Sequence, residues 1–239
     1  MSASLVEIAK AKAAAAAVDE YVRTDQIVGI GSGSTIAYAV QRLAQRVKDE
    51  QLKVVCVPTS FQSRQLICDH GLPLGDLDSY PVLDVAIDGA DEVDLALNCI
   101  KGGGGCLTQE KIVASCATIF VICADYRKDS AVLGVKWRKG VPVEVVPMAY
   151  RPLLGKLKAM GGEPTLRMAT SKAGPCVTDN GNFIIDADFG EIKDPAALET
   201  ALCAVPGIVC TGLFVRMAEK VFFGAEDGTV YTKTPQGLS

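Results

Sequence analysis

The chain is 239 residues long, 49% apolar and 22% charged, with a net charge of −4 and a pI near 5.1. That length holds one large domain or two unequal ones, and the acidic balance argues against a general nucleic-acid or anionic-membrane binder, which carries a basic excess or stripe. Nine cysteines without a C-x-x-C pair, and a single histidine, His70, exclude a Cys/His zinc pattern and most histidine-based catalysis.

The N-terminal stretch Leu5–Tyr21 is alanine-rich, but Glu7, Lys10 and Lys12 precede the small-residue run and Asp19 and Glu20 close it. This predicts an amphipathic helix and not a secretory signal. No apolar run approaches the ~20 residues of a membrane span. Strand Ile27–Ile30 follows, then a Gly/Ser loop, a helix over Thr35–Lys48 and strand Lys53–Val57. A helix opening at Pro58-Thr59-Ser60 runs to Cys68, strand Val82–Ile87 comes next, and a helix from Gln109 leads to strand Thr118–Cys123. Helices alternating with nearly continuous β-branched strands predict an α/β fold, a Rossmann-like parallel sheet covered on both faces. Cys56, Cys116 and Cys123 lie in apolar runs, where a thiol acts as a small hydrophobe, which fits a reducing cytoplasm.

Beyond Val132 the texture changes. Short strands are predicted at Val143–Val146, Thr165–Met168, Cys176–Thr178 and Phe183–Asp186, with Asp179-Asn180-Gly181-Asn182 as a tight hairpin turn. Helical patterns at Ala149–Ala159 and Ala196–Ala204 intervene. The expected organisation is a Rossmann-like domain from residues 1–131 plus 205–239, with a smaller α+β domain, 132–204, inserted in it. Gly207-Ile208-Val209 and Leu213–Val215 are expected to return as strands to the first sheet.

Ligands of open parallel sheets bind at the carboxyl ends of the strands, where Gly31–Thr35, Pro58–Ser60, Asp88–Asp91 and Ala124–Lys128 fall. The segment Val85–Lys111 is the most informative. Asp88, Asp91, Glu92 and Asp94 repel one another unless each finds its own partner, solvent or a proton. Lys101 adds a cation, and Gly102–Gly105 lets backbone N–H groups approach a ligand. Together these point to proton transfer on a polar, anionic small molecule; the plainer reading is an acidic loop followed by a flexible turn.

Glu110 stands two residues after Thr108, the expected N-cap, and so in the first turn of a helix. The helix field favours its ionised form and desolvation raises its proton affinity, a balance suited to a general base, although a first-turn Glu alone is usually a helix-dipole partner. Ser32, Gly33, Ser34 and Thr35, between a strand and a helix, form a cradle for a monophosphate. The dinucleotide pattern fails because Ser34 occupies its last glycine position and no acid follows the second strand. The Gly-Lys of a P-loop is also missing, and a bare structural turn is the alternative. Lys128 is read as a phosphate contact or, by default, a surface lysine. Lys136, Arg138 and Lys139 read as a solvated basic turn around Trp137.

Taken in order, GSGST at Gly31–Thr35, DGADEVD at Asp88–Asp94, KGGGG at Lys101–Gly105, LTQEK at Leu107–Lys111, VPVEVVP at Val141–Pro147 and VTDNGN at Val177–Asn182 resemble the type A ribose-5-phosphate isomerase family. PGIV at Pro206–Val209 and GLF at Gly212–Phe214 extend the resemblance over essentially the whole chain. It implies interconversion of D-ribose 5-phosphate and D-ribulose 5-phosphate in the non-oxidative pentose phosphate pathway, with no metal and no cofactor. It also implies a homodimer or homotetramer, with no nucleic-acid or membrane partner. By resemblance Glu110 is the proton-shuttling base, Asp88 and Lys101 manage the sugar oxygens, and Asp91 lies in the pocket. Ser32, Gly33, Ser34, Thr35, Gly89, Ala90, Gly102, Gly103, Gly104 and Lys128 match substrate-binding positions. Two other classes compete. A sugar-phosphate sensor of a transcription regulator would need a helix-turn-helix, and the short N-terminal helix lacks a basic recognition partner. A nicotinamide oxidoreductase would bind NAD.

Overall fold

The computed structural model describes residues 4–235. The first half alternates as read: α1 (Leu5–Tyr21), β1 (Gln26–Ile30), α2 (Ser34–Glu50), β2 (Val54–Pro58), α3 (Phe61–Asp69) and β3 (Leu83–Asp88). Two short strands, β4 (Glu92–Val93) and β5 (Cys99–Ile100), precede α4 (Leu107–Cys116) and β6 (Ala117–Asp125). Then come β7 (Val141–Val145), α5 (Tyr150–Ala159), β8 (Glu163–Leu166), β9 (Phe183–Asp188) and α6 (Pro195–Cys203). The chain closes with β10 (Ile208–Thr211), β11 (Leu213–Phe214), β12 (Lys220–Gly224) and β13 (Val230–Lys233).

The main sheet has six strands in the order β13-β12-β6-β3-β1-β2, all parallel except the edge strand β13. Both faces are dry because alternate side chains of one strand enter different cores. Val121 and Cys123 of β6 pack with α1, α2 and α3, whereas Phe120, Ile122 and Ala124 pack with Val113 and Ala114 of α4. The alanines read as a helical face make α1 a closely packing element: Ala9, Ala13, Ala14 and Ala17 are fully buried.

The second unit is an antiparallel sheet, β10-β7-β9-β8, with α5 and α6 packed on it through Leu153, Leu157 and Leu202. Three expectations are corrected here. Cys176–Thr178 is not a strand but an excursion with single bridges Met168↔Pro175 and Val177↔Phe183, since Pro175 has no N–H to extend a ladder and Thr178 N–H closes the turn onto Asn182. Ile208–Thr211 pairs with β7, and Leu213–Phe214 joins a three-stranded sheet, β11-β5-β4, so neither returns to the main sheet. Gly212 is the cause: its N–H donates to Pro142 O at 2.7 Å and its carbonyl accepts from Lys101 N–H at 2.8 Å, which pins the chain between the two units. A Cβ there would lie 2.2 Å from Lys101 O. The chain rejoins the main sheet only at β12.

Candidate active site

The loops after β1, β3 and β6 meet the glycine run after β5 around a cavity of about 210 Å³. Asp88, the last residue of β3, is buried with its Oδ1 accepting from Ser32 N–H at 3.0 Å and Gly89 N–H at 2.7 Å. Only glycine fits at position 31, because a Cβ there would stand 2.0 Å from that Oδ1. Lys101 leaves β5 pointing inward, 2% exposed. Its Nζ lies 2.9 Å from Asp88 Oδ2 and 3.2 Å from Glu110 Oε2, and it donates to Gly89 O. The Phe214 ring sits 5.3 Å from the ammonium. Asp88 Oδ2 and Glu110 Oε2 contact the ammonium as charges without a directed hydrogen bond, and of the two only Glu110 lines the cavity, where its oxygen can engage a substrate.

The electrostatics follow from burial. Desolvation, helped by the charge of Asp88 and opposed by Lys101, pushes the Glu110 carboxyl up to about 8. Burial disfavours the Lys101 ammonium, but Asp88 and Glu110 more than offset it and hold the proton on. Asp91 is also raised by burial, against the opposing hydrogen bond from Gly103 N–H, 2.7 Å from its Oδ2. A Cβ on Gly103 would stand 2.7 Å from both Asp91 Oδ1 and the edge of the Trp137 ring.

Across the cavity, α2 presents its N-terminus with no acidic residue in its first turn and with Gly33 as N-cap at φ 101°. Gly33 N–H donates to Gln62 Oε1 at 2.8 Å, and Lys10 Nζ donates to Ser34 Oγ at 3.0 Å. Ser32 Oγ is turned toward the loop after β2, at 2.6 Å from Ser60 Oγ and 2.9 Å from Thr59 Oγ1. Lys128 stands on the turn Tyr126–Lys128, its Nζ 5.5 Å from the Trp137 ring centre.

Ser32, Gly33, Ser34, Thr35, Gly89, Ala90, Asp91, Lys101, Gly102, Gly103, Gly104, Glu110 and Lys128 all line this one cavity. Asp88 does not; it lies behind Lys101. Thr108 is not the N-cap. Cys106 occupies that position without a side-chain cap, and the Thr108 hydroxyl goes instead to buried Glu144. Lys10, Gln62, Cys106, Asp125 and Arg127 also line the cavity. Lys10 carried no local signal, since in sequence it belongs to the polar side of an alanine-rich helix. The other two acids of the cluster have separate partners. Glu92 accepts from the N–H groups of Gly134, Val135, Lys136 and Trp137, and Asp94 accepts from those of Ala96 and Asn98.

A carboxylate–ammonium–carboxylate group buried at the carboxyl edge of a parallel sheet, with a helix N-terminus and lysines opposite, defines a proton-transfer centre for a small anionic substrate. The family model of ribose 5-phosphate isomerase A (phosphoriboisomerase A) matches residues 55–228. The ribose-5-phosphate isomerase of Sus scrofa is 58% identical over 228 residues, 95% of this chain and 74% of the relative. The structure of ribose 5-phosphate isomerase A from Methanocaldococcus jannaschii superposes with a TM-score of 0.88 at 42% identity, covering 94% of this chain and 97% of that one. A D-ribose-5-phosphate isomerase solved in complex with phospho-erythronic acid gives a TM-score of 0.90 at 39% identity over 94% and 97%. The chain belongs to the ribose 5-phosphate isomerase A family.

Proposed function

We propose that this chain interconverts D-ribose 5-phosphate and D-ribulose 5-phosphate through an enediolate, and that Glu110 is the base. The observation that carries the reading is the placement of Glu110 and Lys101 together on the cavity wall, with the ammonium 3.2 Å from the carboxylate. Glu110 takes the proton from C2 of the open-chain aldose and the electrons move onto O1 to give the enediolate; the O2 hydroxyl proton passes to O1, and the same carboxyl returns the carbon-bound proton to C1 as the C2 carbonyl of the ketose forms. Lys101 neutralises the oxyanion that grows between these steps. A relative is solved in complex with phospho-erythronic acid, a phosphorylated sugar acid whose planar carboxylate resembles the planar enediolate, which supports the reading.

The resemblance gives Asp88, with Lys101, a share in managing the sugar oxygens. Because it lies behind Lys101, its role in this geometry is to fix the ammonium, and Asp91, on the cavity wall, is the better group for hydroxyl proton transfer during ring opening. The phosphate is assigned to the α2 N-terminus with Ser34, Thr35, Lys128 and Lys10. Turnover of ribose 5-phosphate to ketose by the purified protein tests the reaction itself.

The phosphate assignment has its own test. Lys128→Ala and Lys10→Ala are each expected to weaken inorganic phosphate binding roughly tenfold, the loss of one charge-assisted contact, and to raise KM with little change in kcat. Titration calorimetry with phosphate measures this; unchanged affinity in both variants would place the phosphate elsewhere.

The chain is read as an oligomer of two or four copies. Met148 is 88% exposed, beside the outer strand β10 with its exposed Val209, an apolar edge that a second copy would cover. Sedimentation is expected to give a dimer or tetramer, and a monomer at micromolar concentration would contradict it. No helix among the described residues is long and apolar enough to cross a membrane. Nine free cysteines fit a cytoplasmic setting.

A further inference from the structure

We infer that Arg167, which does not line the cavity, is a positioning residue that sets the glycine run Gly102–Gly104 for oxyanion binding; this rests on the isomerase reading above. Arg167 follows β8 in the second unit, and its backbone N–H donates to Ile184 O at 2.8 Å. Its Nη1 reaches across to the first unit and donates to two successive carbonyls, Gly102 O at 2.9 Å and Gly103 O at 3.2 Å. The other edge of the guanidinium is held by Asp186 on β9, with Nε 2.8 Å from Oδ2 and Nη2 2.5 Å from Oδ1. The side chain is 17% exposed, and its orientation is determined by both sets of contacts.

The consequence for the site comes from peptide geometry. In a trans peptide the N–H points opposite to the C=O. Drawing Gly102 O and Gly103 O toward Arg167 therefore turns the N–H groups of Gly103 and Gly104 the other way. Gly103 N–H meets Asp91 Oδ2 on the cavity wall at 2.7 Å. Gly104 N–H has no hydrogen-bond partner among the described residues, and Gly104 lines the cavity. Within the loop only Gly105 N–H helps, donating to Gly102 O at 2.9 Å; the glycines themselves give the Gly103 carbonyl no intrinsic preference. The rigid fork of Arg167, braced by Asp186, fixes the Gly103 carbonyl and reinforces the Gly102 one from outside the site.

The charge of the guanidinium is not the point of the arrangement. An ammonium on a shorter reach cannot hold a carboxylate edge and bridge two carbonyls at once. Asp91 is also tied to the result, since the donor that its Oδ2 receives is one of the two oriented amides.

The test compares Arg167→Met, Arg167→Lys and Asp186→Asn with the unmodified protein. Arg167→Met and Arg167→Lys are each expected to lower kcat roughly 10- to 100-fold per folded active site, the range for lost supporting contacts and small misplacements. Folded sites are counted by inorganic phosphate titration, and phosphate affinity itself should stay within about twofold, because the α2 end is untouched. Asp186→Asn, which loosens the brace but leaves the guanidinium, should give a smaller loss of the same kind. Normal kcat in Arg167→Lys would reduce the role to charge, and normal kcat in Arg167→Met would overturn it altogether. A loss shared equally by phosphate affinity would show a general structural effect. If Arg167→Met does not fold, Arg167→Lys decides alone. An unmodified protein that fails to isomerise ribose 5-phosphate rejects the isomerase reading instead, so the two failures are distinct.

Discussion

Glu110→Gln is expected to lower kcat by roughly 10²–10⁴-fold, the usual contribution of a positioned general acid–base, with phosphate affinity unchanged. The amide keeps the size and a hydrogen-bonding oxygen but cannot take up the C2 proton. The pH dependence has the matching sign. Burial raises the Glu110 carboxyl from an ordinary 4.5 to about 8, so the free protein loses its base, and kcat/KM falls, as pH drops below that value. Stability moves the opposite way. A carboxyl raised on folding contributes stability that is full below about 4.5 and lost as pH rises through about 8. Glu110→Gln, unable to ionise, should therefore melt higher than the unmodified protein at pH 8, with the gain vanishing near pH 4. Near-normal turnover in the folded variant would move the base to Asp91 or Asp88, and a lower melting temperature at pH 8 would contradict the burial argument.

Lys101→Met should have the largest combined effect. Removing the ammonium abolishes oxyanion stabilisation, about 10²–10³ in kcat for one preorganised donor. It also leaves Asp88 and Glu110 facing one another in the interior. Breaking a buried pair by deleting one partner costs about 3–5 kcal/mol, because the remaining charge is uncompensated. The variant should unfold in lower urea than the unmodified protein, and the gap should narrow as pH falls and Glu110 takes up a proton. A constant gap from pH 5 to 9 would show that the loss comes from packing of the lysine stem against Phe214 and not from the buried, uncompensated carboxylates.

Much of this site was legible because its parts sit in tight local runs. Asp88 to Asp94 and Lys101 to Glu110 are short segments, and the parallel sheet brings the Ser32–Thr35 loop to the same edge by topology alone. What local reading could not do was sort the four clustered acids. Asp88 and Asp91 face the lysine and the glycine run, while Glu92 and Asp94 serve backbone amides, and only the turns at Gly134–Trp137 and Ala96–Asn98 reveal that division. Lys10 was invisible for a different reason: helix α1 must first dock on α2 before its polar side reaches Ser34. Thr108 looked like a cap by residue type, but its hydroxyl is claimed by Glu144, a partner 36 residues away. The Cys176–Thr178 segment had strand-forming residues and a turn after it, yet the proline before it removed the donor a ladder needs.

The pinning of Gly212 bears on motion. Its N–H is bonded to Pro142 at the start of the second unit, and its carbonyl to the backbone of Lys101 itself. Hinge bending of one unit against the other would therefore strain the bonds on either side of Gly212, one of them to the lysine's own backbone, along with the Arg167 contacts to Gly102 and Gly103. The relative attitude of the two bodies is thus mechanically geared to the placement of the ammonium, and crosslinking them should leave the protein competent where prying them apart would disarm it.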